Sequence, residues 1–157
     1  MFHSSRYMAV LGILLLFSAA LFAQSTPVTN SFDVNVDNQA TVNQCSIGEP
    51  VALNGTVHLD YSVTTDSSGV NHFSIRAANN LTGAGQKTGT SYVANDSDDY
   101  SSNNDDQSAD LTVELKSDPK SQGAVPSLTL VQGLHVLVDT AGNISGQVVS
   151  NTTSCGD

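Results

Sequence analysis

The sequence predicts an all-β protein: an antiparallel β-sandwich or open barrel of about eight strands built from hairpins. Three observations predict it. Beyond the first 23 residues there is no helical periodicity, whereas apolar and polar residues alternate repeatedly at period two. Gly, Asn, Asp and Ser punctuate the alternating runs at short intervals, as turns between antiparallel neighbours require. Two segments carry complete hairpin signatures.

The runs follow one another along the chain. Phe32, Val34 and Val36 alternate with Asp33, Asn35 and Asp37. Val57, Leu59, Tyr61 and Val63 alternate with His58, Asp60 and Ser62; Phe73, Ile75 and Ala77 alternate with His72, Ser74 and Arg76. Leu111, Val113 and Leu115 alternate with Thr112 and Glu114, and Leu134, Val136 and Val138 with His135, Leu137 and Asp139. Each run describes a strand with one buried face and one wet face.

The first hairpin turns at Asp66-Ser67-Ser68-Gly69, with Gly69 as the left-handed residue of a bulged three-residue loop. Pairing Asp66 with Val70 places Val63 opposite Phe73, Tyr61 opposite Ile75 and Leu59 opposite Ala77. On the other face Thr64 meets His72, Ser62 meets Ser74 and Asp60 meets Arg76. A slip of one residue would destroy this match. Asp139-Thr140-Ala141-Gly142 repeats the device. Pairing Asp139 with Asn143 sets Val138 against Ile144, Val136 against Gly146 and Leu134 against Val148.

Two stretches lack the pattern. Leu81 to Thr90 is Gly-rich and reads as an irregular crossing or a bulged strand entry. Asn95 to Asp110 is polar and acidic and reads as a long loop, a feature that in compact domains is either functional or disordered.

The beginning of the chain has the order of a secretory signal. Arg6 precedes the apolar run Met8 to Phe22, small residues follow, and Gln24-Ser25-Thr26-Pro27 is polar. Cleavage is expected after Ala23, or after Ala20. The run is short for a membrane span, which needs about 20 residues, although a retained anchor is the alternative. No Cys follows it that could carry a lipid. The expected organisation is therefore a signal peptide over 1–23, a polar arm or edge strand over 24–44, and a β domain over 45–157. Secretion places the chain outside the cell or in a periplasm. There Cys45 and Cys155 are expected to bridge, closing a loop worth about 4–5 kcal/mol of chain entropy.

Charge narrows the partners. The chain has 5 Lys and Arg against 15 Asp and Glu. Such a balance repels phosphate backbones and anionic lipids, so neither nucleic acid nor, once the signal is removed, a membrane is an expected partner. An extracellular glycan or protein is.

Among candidate sites, the acidic stretch is the densest. Asp96, Asp98, Asp99, Asp105, Asp106 and Asp110 supply oxygen ligands of the type Ca²⁺ takes, and extracellular calcium can fill weak sites. Metal ligation is assigned to Asp96, Asp98, Asp99, Asp105 and Asp106. The spacing departs from an EF-hand loop: counting from Asp96, Tyr100 stands at position five and Ser101 where Gly is required. The alternative is a solvated loop that aids solubility. Gly83-Ala84-Gly85-Gln86-Lys87-Thr88 imitates a phosphate loop but lacks Gly directly before Lys87, so it reads as a turn. His58 and His72 lie about 20 Å apart in the hairpin register and cannot share a metal, while His135 is on another strand. No nucleophile elbow occurs. Asn54, Asn80, Asn95, Asn143 and Asn151 head glycosylation sequons.

Gly55, Val57-His58, His72 and the segment Thr82-Gly83 through Thr88-Gly89 to Tyr92 resemble uncharacterised secreted bacterial β proteins. The likeness covers about a third of the chain, and no activity comes with it. The expected function is a non-catalytic extracellular binding or surface-assembly module, which could use free strand edges to add to a neighbour's sheet. The alternatives are a calcium-dependent, carbohydrate-binding module using residues 95–110 and a small secreted hydrolase.

Overall fold

The computed structural model describes residues 26–45, 48–104 and 108–155. The predicted signal peptide, Asp105 and Asp106 lie outside them. The described residues are all-β, with nine strands and no helix. In chain order these are β1 (Val28–Asn43), β2 (Glu49–Thr65), β3 (Asn71–Gly85), β4 (Ser91–Ala94), β5 (Ser97–Asn104), β6 (Ala109–Ser117), β7 (Lys120–Ser121), β8 (Leu128–Val138) and β9 (Ile144–Cys155). No helix long and apolar enough to cross a membrane occurs among the described residues.

The strands form two antiparallel sheets. The larger has the order β1-β2-β3-β4-β7, with β5 paired to the first half of β3 and β4 to its end. The smaller has the order β6-β8-β9. The sheets are not closed into a barrel. Their apolar faces contribute to one core, from Val57, Leu59 and Ile75 of the larger sheet to Leu115, Leu130 and Leu134 of the smaller.

Both hairpins have the register their turns dictate. Val63 pairs with Phe73, Tyr61 with Ile75 and Asp60 with Arg76. Val138 pairs with Ile144, Val136 with Gly146 and Leu134 with Val148. Gly69 and Gly142 adopt φ of 89° and 79°, the left-handed geometry that ordinary side chains resist. In each turn the leading aspartate accepts backbone N–H groups: Asp66 from Ser68 and Val70, Asp139 from Ala141 and Asn143.

The segment expected to be a polar arm or edge strand is paired along its length into the larger sheet, as its edge strand. β1 pairs with β2 from Val28↔Val63 to Asn43↔Glu49. It is bulged where Asp37 and Asn38 oppose Asn54 alone, and Asn38 takes φ 47° there. The bulge reverses the inward parity, so Val34 and Val36 are buried before it and Thr41 and Asn43 after it.

β1 also runs beside β9 in the same direction. Asn30 Nδ2 donates to Gly142 O (3.1 Å), Gly146 packs against Val34 and Leu59, and Thr153 Oγ1 donates to Val42 O (2.7 Å). The Cys45–Cys155 disulfide closes this seam, with Cα atoms 4.9 Å apart.

Two expectations are corrected. The Gly-rich stretch is neither a crossing nor a bulged entry, because β3 continues unbroken to Gly85 and then turns. Gly83 and Gly85 are there for room, since a Cβ would collide with the Leu53 side chain at the first and with the carboxylate of Glu49 at the second, whereas Gly89 takes φ 71° after the turn. The acidic stretch is not a long loop either. Its centre is β5, paired with β3 from Ala78↔Ser97 to Asn71↔Asn104. Its period-two pattern was invisible because its half-buried positions are Asp96, Asp98 and Tyr100, two of them carboxylates.

Candidate functional site

The carboxylates assigned to calcium go to different places. Asp98 Oδ2 accepts the backbone N–H of Lys116 (2.8 Å), and Asp96 Oδ2 accepts that of Asp118 (3.1 Å). The Tyr100 hydroxyl hydrogen-bonds the Glu114 backbone. Burial and the charge of Asp98 push that phenol up. Residues 96, 98 and 100 thus meet 118, 116 and 114 in antiparallel order. This side-chain ladder satisfies backbone donors at the edge of β6 that no neighbouring strand pairs. Asp99 points to the opposite face, 4.0 Å from Arg76 Nη1. Asp105 and Asp106 lie outside the described residues. Among the described residues no group of three His, Cys, Asp or Glu is placed to hold a metal.

The structure assembles a different polar surface, on the outer face of β1, β2, β3 and β5. Strand register lines its side chains up in rows. One row is Ser31, Asp60, Arg76 and Asp99; the next is Thr29, Ser62, Ser74 and Ser101. A shallow depression of about 540 Å³ lies over both rows, lined by Ser31, Asp60, Ser62, Ser74 and Arg76 among others. Arg76 Nη2 donates to Ser97 Oγ (3.1 Å).

Two histidines border this surface, each locked by acceptors on both ring nitrogens. His58 Nδ1 lies 2.6 Å from Asp33 Oδ1 and its Nε2 3.1 Å from Asp60 Oδ1. The Asp33 hydrogen bond, followed by the charge of Asp60, raises its pKa against the lowering effect of desolvation. His72 Nε2 lies 3.0 Å from Asp66 Oδ2 and its Nδ1 2.8 Å from Asn103 Oδ1. The Asp66 bond raises its pKa. Asp66 is held far below the usual carboxylate range, first by the Ser68 hydroxyl and then by His72. Because the two acids on His58 occupy opposite sides of the ring, they cannot share one cation with it. With both nitrogens engaged, neither ring is free to act as a general base. His135 is on the other sheet, with Nε2 2.7 Å from Asp110 Oδ1.

Sequence reasoning missed Asp33 and Glu49. The His58-x-Asp60 spacing was a signal for the first, since residues two apart share a strand face; Asp33 joins them only through the β1–β2 register. Glu49 is fully buried, and its Oε1 accepts the N–H groups of Thr88 (2.6 Å) and Lys87 (3.1 Å). These bonds, the Thr88 bond foremost, lower its pKa. The segment that imitates a phosphate loop therefore cradles the protein's own carboxylate. Of the sequon residues, Asn54, Asn80, Asn95 and Asn143 are exposed, while Asn151 is half-buried.

No protein family, no curated protein and no solved structure matches this chain.

Proposed function

We propose that the chain is an exported, non-catalytic binding module that presents the outer face of β1, β2, β3 and β5 to a polyhydroxylated ligand such as an extracellular glycan. The two sheets are read as the halves of an open sandwich, and the apolar leader and the disulfide suit an oxidising compartment outside the cytoplasm.

The observation that carries the proposal is the alignment of Ser31, Asp60, Arg76 and Asp99 across four strands, beside a second row of hydroxyls. Strands about 4.8 Å apart repeat hydrogen-bonding groups at a spacing close to the size of a sugar ring. The cross-strand pairs hold these groups in place before a ligand arrives, which lowers the ordering cost of binding. Engagement of both nitrogens on His58 and on His72 favours binding over hydrolysis.

The test is retention of the mature chain on immobilised neutral and cationic polysaccharides. Asp60→Ala with Arg76→Ala should weaken retention at least tenfold, and Glu114→Ala on the smaller sheet should leave it unchanged. Equal retention of the double variant, or no retention on any polysaccharide, defeats the proposal.

A further inference from the structure

We propose that His58 is a proton-operated switch on the outer face of the larger sheet: protonated on both nitrogens it holds Asp33 and Asp60 together, and on losing one proton it passes Asp60 to Arg76. The register sets the parts beside one another. Asp33 of β1 stands opposite His58 of β2, and Asp60, two residues along β2, stands opposite Arg76 of β3. The ring lies between the two carboxylates, with Nδ1 2.6 Å from Asp33 Oδ1 and Nε2 3.1 Å from Asp60 Oδ1. On β3 the residue opposite His58 is Ala78, and Arg76 is the charged side chain next along the same face.

The proton count makes this a switch. An ionised carboxylate only accepts hydrogen bonds, and an imidazole donates from both nitrogens only when both carry protons. Neutral His58 therefore turns a lone pair toward one of its two acids, and that contact must open. The Asp33 contact is the shorter and so the stronger bond, which makes Asp60 the acid released. His72 differs. Its Nδ1 meets Asn103 Oδ1, and an amide can turn to present its NH2 group instead, so this ring loses a proton without losing a partner. His135 meets an acid, Asp110, at Nε2 alone among the described residues, and one proton serves that contact.

Arg76 is placed to receive Asp60. Its guanidinium donates to Ser97 Oγ at 3.1 Å and stands 4.0 Å from Asp99, a loose contact for an ion pair. Pairing with the acid directly opposite is the better arrangement once that acid is free. Asp60 and Arg76 both line the depression on this face, so their pairing bridges it. The Asp33 bond keeps the second proton on the His58 ring to higher pH than an ordinary histidine holds it, which puts the exchange above about pH 6.5. On the proposed binding reading, on which this last step rests, the face is open to ligand below the exchange and bridged above it.

A titration of the isotope-labelled mature protein between about pH 5 and about pH 9 tests the exchange, with the His58 ring, the Asp60 carboxyl carbon and the Arg76 guanidinium followed together. Asp60 and Arg76 are expected to shift at the His58 midpoint. Asp33→Asn keeps the ring but supplies an amide that can turn its donor to Nδ1, so Arg76 should no longer shift. Asp60→Asn should silence Arg76 while His58 still titrates. Both substitutions are at exposed positions, so both variants should fold. An Arg76 signal that ignores the His58 midpoint, or that persists in Asp60→Asn, would overturn the proposal. Retention on an immobilised neutral polysaccharide should weaken about two- to fivefold across the same range, the value of an exposed ion pair, and should lose this dependence in Asp33→Asn. Retention that does not change with pH overturns the gating of the face. Absence of retention at every pH overturns the binding reading, and the Arg76 signal still decides the exchange.

Discussion

The carboxylate of Asp98 accepts the main-chain N–H of Lys116 at 2.8 Å, joining the larger sheet to the smaller through a side chain where no backbone ladder exists. A segment with the composition of a cation loop is thereby a structural seam. Asp98→Ala should leave an edge donor of β6 to water and cost about 0.5–1 kcal/mol, lowering the melting temperature by about 2–4 °C. Asp99→Ala, which removes only an exposed 4.0 Å ion pair, should change it by less than about 0.5 kcal/mol. The difference between the two variants should be the same in calcium and in chelator. A loss at Asp98 that appears only with calcium would instead make the residue a ligand.

Gly85 and Glu49 make a second pair whose effects are coupled. A methyl group at Gly85 collides with the Glu49 carboxylate, so Gly85→Ala should destabilise by about 1–3 kcal/mol through overpacking. In a Glu49→Ala background the same substitution should cost clearly less, a coupling that a double-mutant cycle of denaturation midpoints reads directly. Additive effects would show that the collision does not govern the site.

The histidine clamps predict a pH dependence with a definite sign. His58 and His72 have raised pKa values in the folded protein, so the native state holds their protons more tightly than the unfolded state does. Their contribution is fully present below the unfolded value of about 6.5 and is lost as pH rises through the folded value. Melting curves between pH 5 and pH 9 should show wild type losing more stability across this range than His58→Gln with His72→Gln. Parallel curves would dissociate the clamps from stability.

The turn acids predict the opposite sign at low pH. Asp66 and Asp139 are lowered, Asp66 first by the Ser68 hydroxyl and Asp139 first by the Asn143 side chain. Their contribution is present above the unfolded value of about 3.9 and is lost as pH falls through the folded values. Asp66→Asn with Asp139→Asn should be less stable than wild type near neutrality and should flatten the acid limb below about pH 4. An acid limb as steep as that of wild type would rule out this origin.

Reduction of Cys45–Cys155 should cost about 4–5 kcal/mol, because the bridge closes a loop of 110 residues. Denaturant titrations with and without reductant measure this. A change below about 1 kcal/mol would mean that the seam between β1 and β9 holds the chain ends together without it.

Legibility differed from segment to segment for physical reasons. Asp66-Ser67-Ser68-Gly69 could be read from four adjacent letters because a turn is a local conformational preference, and its register then propagated to Leu59 and Ala77. β5 was unreadable by hydrophobic periodicity because Asp96, just before it, and Asp98, within it, occupy half-buried positions where apolar side chains are the usual marker. The metal assignment rested on carboxylate density, and density cannot tell a cation from a backbone N–H as the partner. Asp33 was noticed only as the polar half of a strand, since its partner His58 is 25 residues away.

By itself, then, the sequence determined the β class, the two hairpins with their registers and the pairing of the only two cysteines. Period-two burial and turn chemistry act over a few residues, and two cysteines leave one choice. Only the tertiary structure decided which backbone donors would meet Asp96 and Asp98, that Glu49 would reach across Gly85, that β1 would run beside β9, and that Ser31, Asp60, Arg76 and Asp99 would form one row. Each of these joins segments distant along the chain. A carboxylate or a hydroxyl has no preference of its own among a water molecule, an N–H group and a ligand, so the packing of the sheets makes the choice.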